Sequence, residues 1–206
     1  MKNSNYEIAY FSAEIGISSN LPTYSGGLGV LAGDHIKASA DADLPMVAIT
    51  LMYKEGYFKQ RIDESGIQSE TYPKFDPIPL LSKLDIKFNI RLRERDVWIQ
   101  VYRYDYNGIN GNIIPLYFLD TDVEDNFDDD KIITLRLYSG NKDHRILQEA
   151  ILGFGGMKLL SELNINSIKT YHMNEGHCSF LTLNLLQKYD NNIEKVKEKC
   201  HFTTHT

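Results

Sequence analysis

Residues 8–52 read IAYFSAEIGISSNLPTYSGGLGVLAGDHIKASADADLPMVAITLM, and this stretch decides the fold class. It begins with a short apolar run, Ile8 to Ser12, which predicts a buried strand. A glycine-rich turn, Ser25 to Gly29, opens a segment with helical spacing of apolar residues, and Ser25 is its expected N-cap. Pro45 ends that helix, and Met46 to Met52 supply a second buried strand. This order of elements predicts a βαβ unit.

The middle of the chain differs in character from this unit. Residues 53–119 contain two alternating, aromatic runs, Tyr53 to Ile62 and Val97 to Tyr106, which are typical of strands. Ile113 to Leu119 then predicts a return to a central strand of the main sheet. We therefore expect an antiparallel, mainly β insertion over residues 53–119, at the edge of that sheet.

The last third of the chain resumes the α/β rhythm. Apolar spacing predicts one long helix from Asp143 to Leu163. Three glycines lie inside it, each at a cost of about 1 kcal/mol, so we expect another part of the chain to approach its backbone closely. The remaining elements are a strand, two helices and a strand: Ile168 to Met173, Cys178 to Tyr189, Ile193 to Lys199, and Cys200 to Thr204. The expected fold class is α/β, with a mostly parallel sheet and helices on both of its faces.

Composition excludes several classes of protein. The 206 residues include 22 Lys and Arg against 28 Asp and Glu, a net charge of −6, and no basic stripe of the kind that binds nucleic acid. No uncharged apolar run approaches the roughly 20 residues of a membrane span. Two cysteines are too few for a disulfide framework and suit a reducing compartment. The sequence therefore predicts a cytoplasmic protein.

Residues 120–130 hold seven acidic residues, which raises the question of a calcium loop. The pattern fails, because Asp125 stands at the glycine position and Lys131 at the final glutamate position. A solvated acidic loop is the expected structure.

Three polar motifs follow predicted strands, where ligands of open α/β sheets bind. They are Glu14 with the Gly26-Gly27-Leu28-Gly29 turn, Asn174-Glu175-Gly176-His177, and Thr203-Thr204-His205-Thr206. A glycine turn at a helix start presents free backbone N–H groups to an anion such as phosphate, although glycine turns also serve plain geometry. A Glu/His pair can bind hydroxyl groups or transfer protons. An equally good interpretation is that Asn174 caps a helix and that Glu175 interacts favourably with the N-terminal end of the helix dipole. His205 on its own would be interpreted as a structural residue.

A metal site is not predicted. Cys178, Cys200, His201 and His205 would be the candidate zinc ligands, but their spacing matches no established zinc pattern.

The chain resembles the α-glucan (glycogen, maltodextrin) phosphorylases, in the short form of bacteria and archaea. The resemblance is carried by seven motifs in the family's order: Tyr10 to Gly16, Ser25 to Lys37, Leu51 to Gln60, Leu119 to Asp122, Arg145 to Glu149, His172 to His177, and Phe202 to Thr206. It implies release of glucose 1-phosphate from an α-1,4-glucan by inorganic phosphate, with pyridoxal phosphate as an acid/base cofactor acting through its own phosphate.

The resemblance also implies roles for individual residues. Glu14 would line the catalytic pocket, and His205 would contact the glucose that is removed. The glycine loop, Gly26, Gly27 and Leu28, would face the phosphates and the glucose with its backbone amides. Asn174, Glu175 and His177 would lie at the glucan-binding end of the site.

Only part of such an enzyme is expected here. In the family, the lysine that binds pyridoxal phosphate belongs to the C-terminal domain, to which nothing in this chain corresponds. Residues 1–206 would then be a partial N-terminal domain of a two-domain GT-B glycosyltransferase, inactive without a complementing C-terminal half and inclined to self-associate. The alternatives are a glycogen or starch synthase-like module and a non-catalytic glucan-binding subunit.

Overall fold

The computed structural model describes residues 5–205. In that range the strands are β1 Ile8–Ser12, β2 Met46–Leu51, β3 Lys59–Ile62, β4 Gln68–Thr71, β5 Ser82–Leu92, β6 Arg95–Asn107, β7 Ile113–Asp120, β8 Thr170–Asn174 and β9 Cys200–Thr203. The helices are α1 Gly27–Asp41, α2 Asp128–Lys131, α3 Lys142–Ala150, α4 Gly156–Glu162, α5 Leu181–Lys188 and α6 Ile193–Lys199. A π-helical turn, Ile151–Gly155, joins α3 to α4, and a 3-10 turn spans Gly176–Cys178.

The main sheet of the described residues has seven strands in the order β5-β6-β7-β2-β1-β8-β9. The five strands from β7 to β9 in this order are parallel to one another, whereas β6 pairs antiparallel with both β5 and β7. The prediction of an α/β fold with a mostly parallel sheet is thereby confirmed.

Helices cover both faces of this sheet. On one face α1 buries Ala32 and Ile36 together with Tyr10 and Phe118 of the strands. The opposite face packs against α3 to α6 and the π turn, which contribute residues such as Ile151. Burial on both sides explains why β1 and β2 are almost continuous apolar runs rather than alternating ones.

The region after β2 departs in two respects from the predicted strands. The run from Tyr53 to Ile62 is a strand only in β3, which pairs with β4 in a separate, exposed hairpin. Strand β5, which pairs with β6 along the sheet edge, was not predicted from the sequence. Its apolar residues alternate with polar ones and pack against the core on one face: Leu84, Ile86, Phe88, Ile90 and Leu92. The period-2 pattern of a half-buried strand is therefore present in the sequence, and the prediction overlooked it.

The predicted long helix from Asp143 to Leu163 is continuous, but its centre is the π turn rather than regular α-helix. The glycines there allow other parts of the chain to approach the helix backbone closely, as predicted from their unfavourable helix propensity. A Cβ on Gly156 would lie 2.5 Å from Cε1 of Phe11, and one on Gly153 would lie 2.7 Å from the Leu181 nitrogen. Larger residues would push the helix away from the sheet and from α5.

The acidic stretch is not simply a solvated loop, and that prediction is wrong for two of its residues. Asp130 is fully buried and accepts hydrogen bonds from Arg93 at 2.5 Å and from Arg95 at 2.7 Å. Asp120 is 1% exposed, with the Lys54 ammonium 2.8 Å from its carboxylate. Buried carboxylates require such partners, and these arginines and this lysine lie far away in sequence.

Candidate active site at the carboxyl edge of the sheet

Three parallel strands end together at one edge of the sheet. In the register of β1, β8 and β9, Ser12 lies beside Asn174, and Asn174 beside Thr203. The residues that follow these three positions therefore share one edge. This brings Glu14, the turn 174–177 and His205 together, as expected for the ligand-binding edge of an open α/β sheet.

Asn174 links all three strand ends by hydrogen bonds. Its Nδ2 donates to Ser12 Oγ at 2.9 Å, and Ser12 Oγ donates to the Glu14 carbonyl at 2.6 Å. Its Oδ1 lies 2.7 Å from His205 Nε2. Because an amide oxygen only accepts, Nε2 of His205 carries the proton, and a neutral His205 presents Nδ1 as an acceptor. The side chain of Asn174 thus orients His205 instead of capping a helix, as the alternative interpretation would require.

Glu175 holds an unusual backbone conformation at this edge. Its φ of 67° and ψ of 172° lie in a region that is almost exclusive to glycine and costs on the order of 1–3 kcal/mol. The backbone N–H of Glu175 donates to the Thr203 carbonyl at 2.9 Å, and Oε1 accepts from the backbone N–H of His205 at 2.6 Å. These two hydrogen bonds therefore hold Glu175 in a strained backbone conformation. Backbone strain of this kind is frequent in functional turns.

Glu14 is a buried carboxylate, only 2% exposed, with a donor on each oxygen. Oε2 accepts from the backbone N–H of Ser25 at 2.8 Å. Oε1 accepts from the hydroxyl of Tyr138 at 2.5 Å. The first contact corrects the predicted role of Ser25, because the N-cap of α1 is Gly26 and no side chain caps the helix.

The glycine turn has one open side and one crowded side. Gly26 and Gly27 are exposed, and no atom beyond their own chain neighbours lies within 4 Å of the positions that Cβ atoms would take. Leu28 beside them is half-buried. The start of α1 thus offers backbone N–H groups that no side chain satisfies, next to space for a ligand. The helix dipole favours an anion at this position.

Comparison with known proteins finds relatives of this chain, although no family model matches it. The chain is 37% identical over 225 residues to a glycogen phosphorylase of Mycobacterium tuberculosis and 39% identical over 213 residues to a maltodextrin phosphorylase of Thermococcus litoralis. Each alignment covers 97% of this chain and 25% of the relative. A glycogen phosphorylase of Aquifex aeolicus is 36% identical over 225 residues, covering 100% of this chain and 32% of its own length.

The chain is a homologue of part of the glycogen and maltodextrin phosphorylases. It spans about a quarter of the length of the first two relatives. The expectation of a partial phosphorylase is therefore confirmed.

The described residues also hold a small pocket that the motifs alone did not indicate. Tyr138, Arg145, Glu149 and His177 are among its lining residues. The rings of Tyr138 and His177 are 6.0 Å apart, and the buried Nδ1 of His177 has no hydrogen-bond partner. Buried polar atoms normally have a partner, so a ligand or a water molecule is expected beside this nitrogen. His177 was predicted from its motif, whereas Tyr138 was missed because it lies 124 residues from Glu14 in sequence.

Among residues 5–205 of this phosphorylase homologue, no group of three or more His, Cys, Asp and Glu residues is placed to hold a metal ion. Cys178, one of the candidate zinc ligands, instead donates from Sγ to the Phe11 carbonyl at 3.1 Å. Burial raises the pKa of its thiol, which disfavours the thiolate that zinc would bind. In the same range, no helix is both long enough and apolar enough to cross a membrane.

Proposed function

We propose that the chain forms part of the catalytic machinery of an α-1,4-glucan phosphorylase, which releases glucose 1-phosphate from glycogen or maltodextrin with inorganic phosphate. The observation that carries the proposal is the convergence of Glu14, Asn174, Glu175 and His205 beside an uncapped glycine turn. The same residues stand in the motifs by which the chain resembles that family. In this proposal residues 1–206 are part of the N-terminal domain of a cytoplasmic GT-B glycosyltransferase, with 53–119 as its mainly β insertion.

The glycine turn would bind the phosphate groups. Gly26 and Gly27 leave room for an anion to approach the backbone, and the dipole of α1 stabilises negative charge there. Glu14 lies directly behind the turn and accepts from Ser25, so its negative charge would orient the turn rather than meet the anion. Leu28 would contact the glucose from the same turn.

The other side of the site would bind sugar hydroxyl groups. His205 presents an acceptor nitrogen once Asn174 has fixed its proton on the opposite one. Glu175 keeps its Oε2 available after Oε1 has bound the backbone of His205, and His177 adds an unpartnered nitrogen. Neutral and charged acceptors of this kind suit the several hydroxyl groups of an α-1,4-glucan.

The family uses pyridoxal phosphate. Of the surroundings that this cofactor needs, the residues of this chain fit only those of its phosphate group. The open backbone of Gly26 and Gly27 is compatible with a neighbouring phosphate group. When bound, the cofactor supplies acid/base chemistry through its phosphate. The lysine that forms the Schiff base belongs to the C-terminal half in this proposal, so this chain contributes binding and orientation.

The test is phosphate-dependent formation of glucose 1-phosphate from maltodextrin. We expect no turnover, and no lysine adduct of pyridoxal phosphate after borohydride treatment, with this chain alone. We expect turnover when the C-terminal half of a related phosphorylase is added. His205→Ala should then reduce kcat by at least roughly 100-fold, whereas the control His201→Ala, an exposed residue of the preceding strand β9, should not.

Other outcomes would favour the alternatives. Turnover of a nucleotide sugar in place of phosphate would indicate the synthase-like module. Glucan binding without any turnover in the reconstituted mixture would indicate a non-catalytic subunit, and equal loss in both histidine variants would refute the role of His205.

A further inference from the structure

Tyr138 contacts Glu14 in a way that the sequence motifs do not explain. Its hydroxyl lies 2.5 Å from Glu14 Oε1, within the range of a charge-assisted O–H···O⁻ hydrogen bond. Burial, and then the hydrogen bond to Glu14, raises the pKa of Tyr138. The phenol is therefore protonated at neutral pH, and it is the donor in this contact.

The turn that carries Tyr138 is built to hold this position. Tyr138 has a φ of 54°, which is uncommon for an aromatic residue, and Gly140 follows with a φ of 77°. Ser139 Oγ donates to the Arg136 carbonyl at 3.0 Å, and Asn141 caps α3 by accepting from the backbone of His144 at 3.0 Å. Such a backbone persists only where its surroundings enforce it.

Glu14 has little freedom of its own between its two partners. Its Oε2 binds the Ser25 N–H at 2.8 Å, and a Cβ on Gly29 would lie 2.8 Å from the same oxygen. The carboxylate therefore connects Tyr138 on one side to the residue that precedes Gly26 and Gly27 on the other. Only two hydrogen bonds connect the phenol of Tyr138 to the glycine turn, so a change at the phenol can alter the conformation of the turn.

We propose that Tyr138 is a positioning residue that orients the Glu14 carboxylate and, through the backbone amide of Ser25, sets the glycine turn for anion binding. Its significance for a phosphorylase reaction rests on the proposed function. The positional claim itself concerns the conformation of this chain.

The experiment compares Tyr138→Phe with Tyr53→Phe in the full 206-residue chain. Tyr53 is the matched control, because its buried hydroxyl donates to the Ala13 carbonyl at 2.8 Å, one residue from Glu14, without touching the carboxylate. Amide resonances of Ser25, Gly26 and Gly27 are followed by NMR, with and without inorganic phosphate. Dispersed amide resonances from β1 and β2 serve as the check on folding.

We expect Tyr138→Phe to shift the three amide resonances and to weaken phosphate binding about tenfold, as loss of a hydrogen bond to a charged group predicts. Tyr53→Phe should leave both readouts unchanged. Glu14→Gln is the second variant: it should shift the same amides, and Tyr138→Phe should add little in its presence.

Unchanged amides and affinity in Tyr138→Phe, or equal effects of both tyrosine variants, would overturn the proposal. If Tyr138→Phe does not fold, unchanged amide resonances of Ser25, Gly26 and Gly27 in Glu14→Gln would overturn it. Absence of phosphate binding by the unmodified chain would count against the proposed function, while the amide shifts would still decide the role of Tyr138.

Discussion

Gly29 shows how one missing side chain shapes the candidate site. A Cβ at this position would lie 2.3 Å from the Cβ of Tyr24 and 2.8 Å from Glu14 Oε2. The backbone carbonyl of Gly29 also accepts from the Gly16 N–H at 2.7 Å. Glycine is therefore required here for close packing of the turn against Glu14, in contrast to the open surroundings of Gly27.

The first prediction is that Gly29→Ala lowers the free energy of unfolding by about 1–3 kcal/mol, because the added methyl group overpacks a buried site. Gly27→Ala is the matched control in the same turn. Its methyl group meets open space, so the change should be within about 0.5 kcal/mol. Urea denaturation of both variants measures the difference, and equal destabilisation would contradict the crowding argument.

At the scale of elements, a group of aromatic rings joins α1 to the strands beneath it. The ring of His172 on β8 lies 5.2 Å from His35 of α1, 4.9 Å from Tyr10 of β1 and 4.6 Å from His201 of β9. These rings are the titratable groups that face His172 from the packed elements, and its Nε2 lies 2.8 Å from Thr203 Oγ1. Burial, followed by the charges of His35 and His201, lowers the pKa of His172 to about 4.

The second prediction concerns the pH dependence of stability. A native pKa of about 4, below the ordinary histidine value of 6.5, means that the unfolded chain binds the proton more readily. The free energy of unfolding should therefore fall as the pH is lowered from about 6.5 to about 4. Burial also lowers the pKa of His35, which adds to the same trend.

Urea denaturation between pH 7.5 and pH 4.5 measures this effect, and His172→Gln should flatten the dependence. Thr203→Val is the control, because it removes the hydrogen bond to His172 but keeps the titrating ring. If the free energy of unfolding depends on pH as steeply in His172→Gln as in the unmodified chain, the assignment of this dependence to His172 is refuted.

At the scale of the whole molecule, β9 forms the outer strand of the sheet within residues 5–205. Phe202 on this strand is 53% exposed, and Val30 and Leu31 of α1 are about half exposed as well. An open strand edge with exposed apolar side chains is a common surface for association between chains.

The third prediction is that the purified 206-residue chain self-associates with increasing concentration. Size-exclusion chromatography with light scattering measures the mass, and Phe202→Lys should reduce association because an edge charge opposes strand pairing. A monomer at every concentration tested would show that this edge does not drive association. Gln187→Lys, at an exposed position of α5, is a control for added charge alone.

Local patterns predicted several elements closely. The helix from Ile193 to Lys199 has the bounds of α6, and the run from Ile8 to Ser12 has those of β1. Each of them is marked by a local pattern. An apolar run marks β1, and a capping residue, Asn192, marks the start of α6. In contrast, β5 was missed although a local pattern marks it, because its apolar residues alternate with polar ones as in a half-buried strand: Leu84, Ile86, Phe88, Ile90 and Leu92.

The sequence by itself determined the α/β class and the identity of the motifs at the strand ends, because periodicity and turn residues act over short distances. Tertiary structure alone decided that Ser12 lies beside Asn174, that Asp130 is buried under two arginines, and that Tyr138 donates to Glu14. These contacts depend on strand order and register, which are set by packing of the whole core. No short stretch of residues encodes a partner more than a hundred positions away.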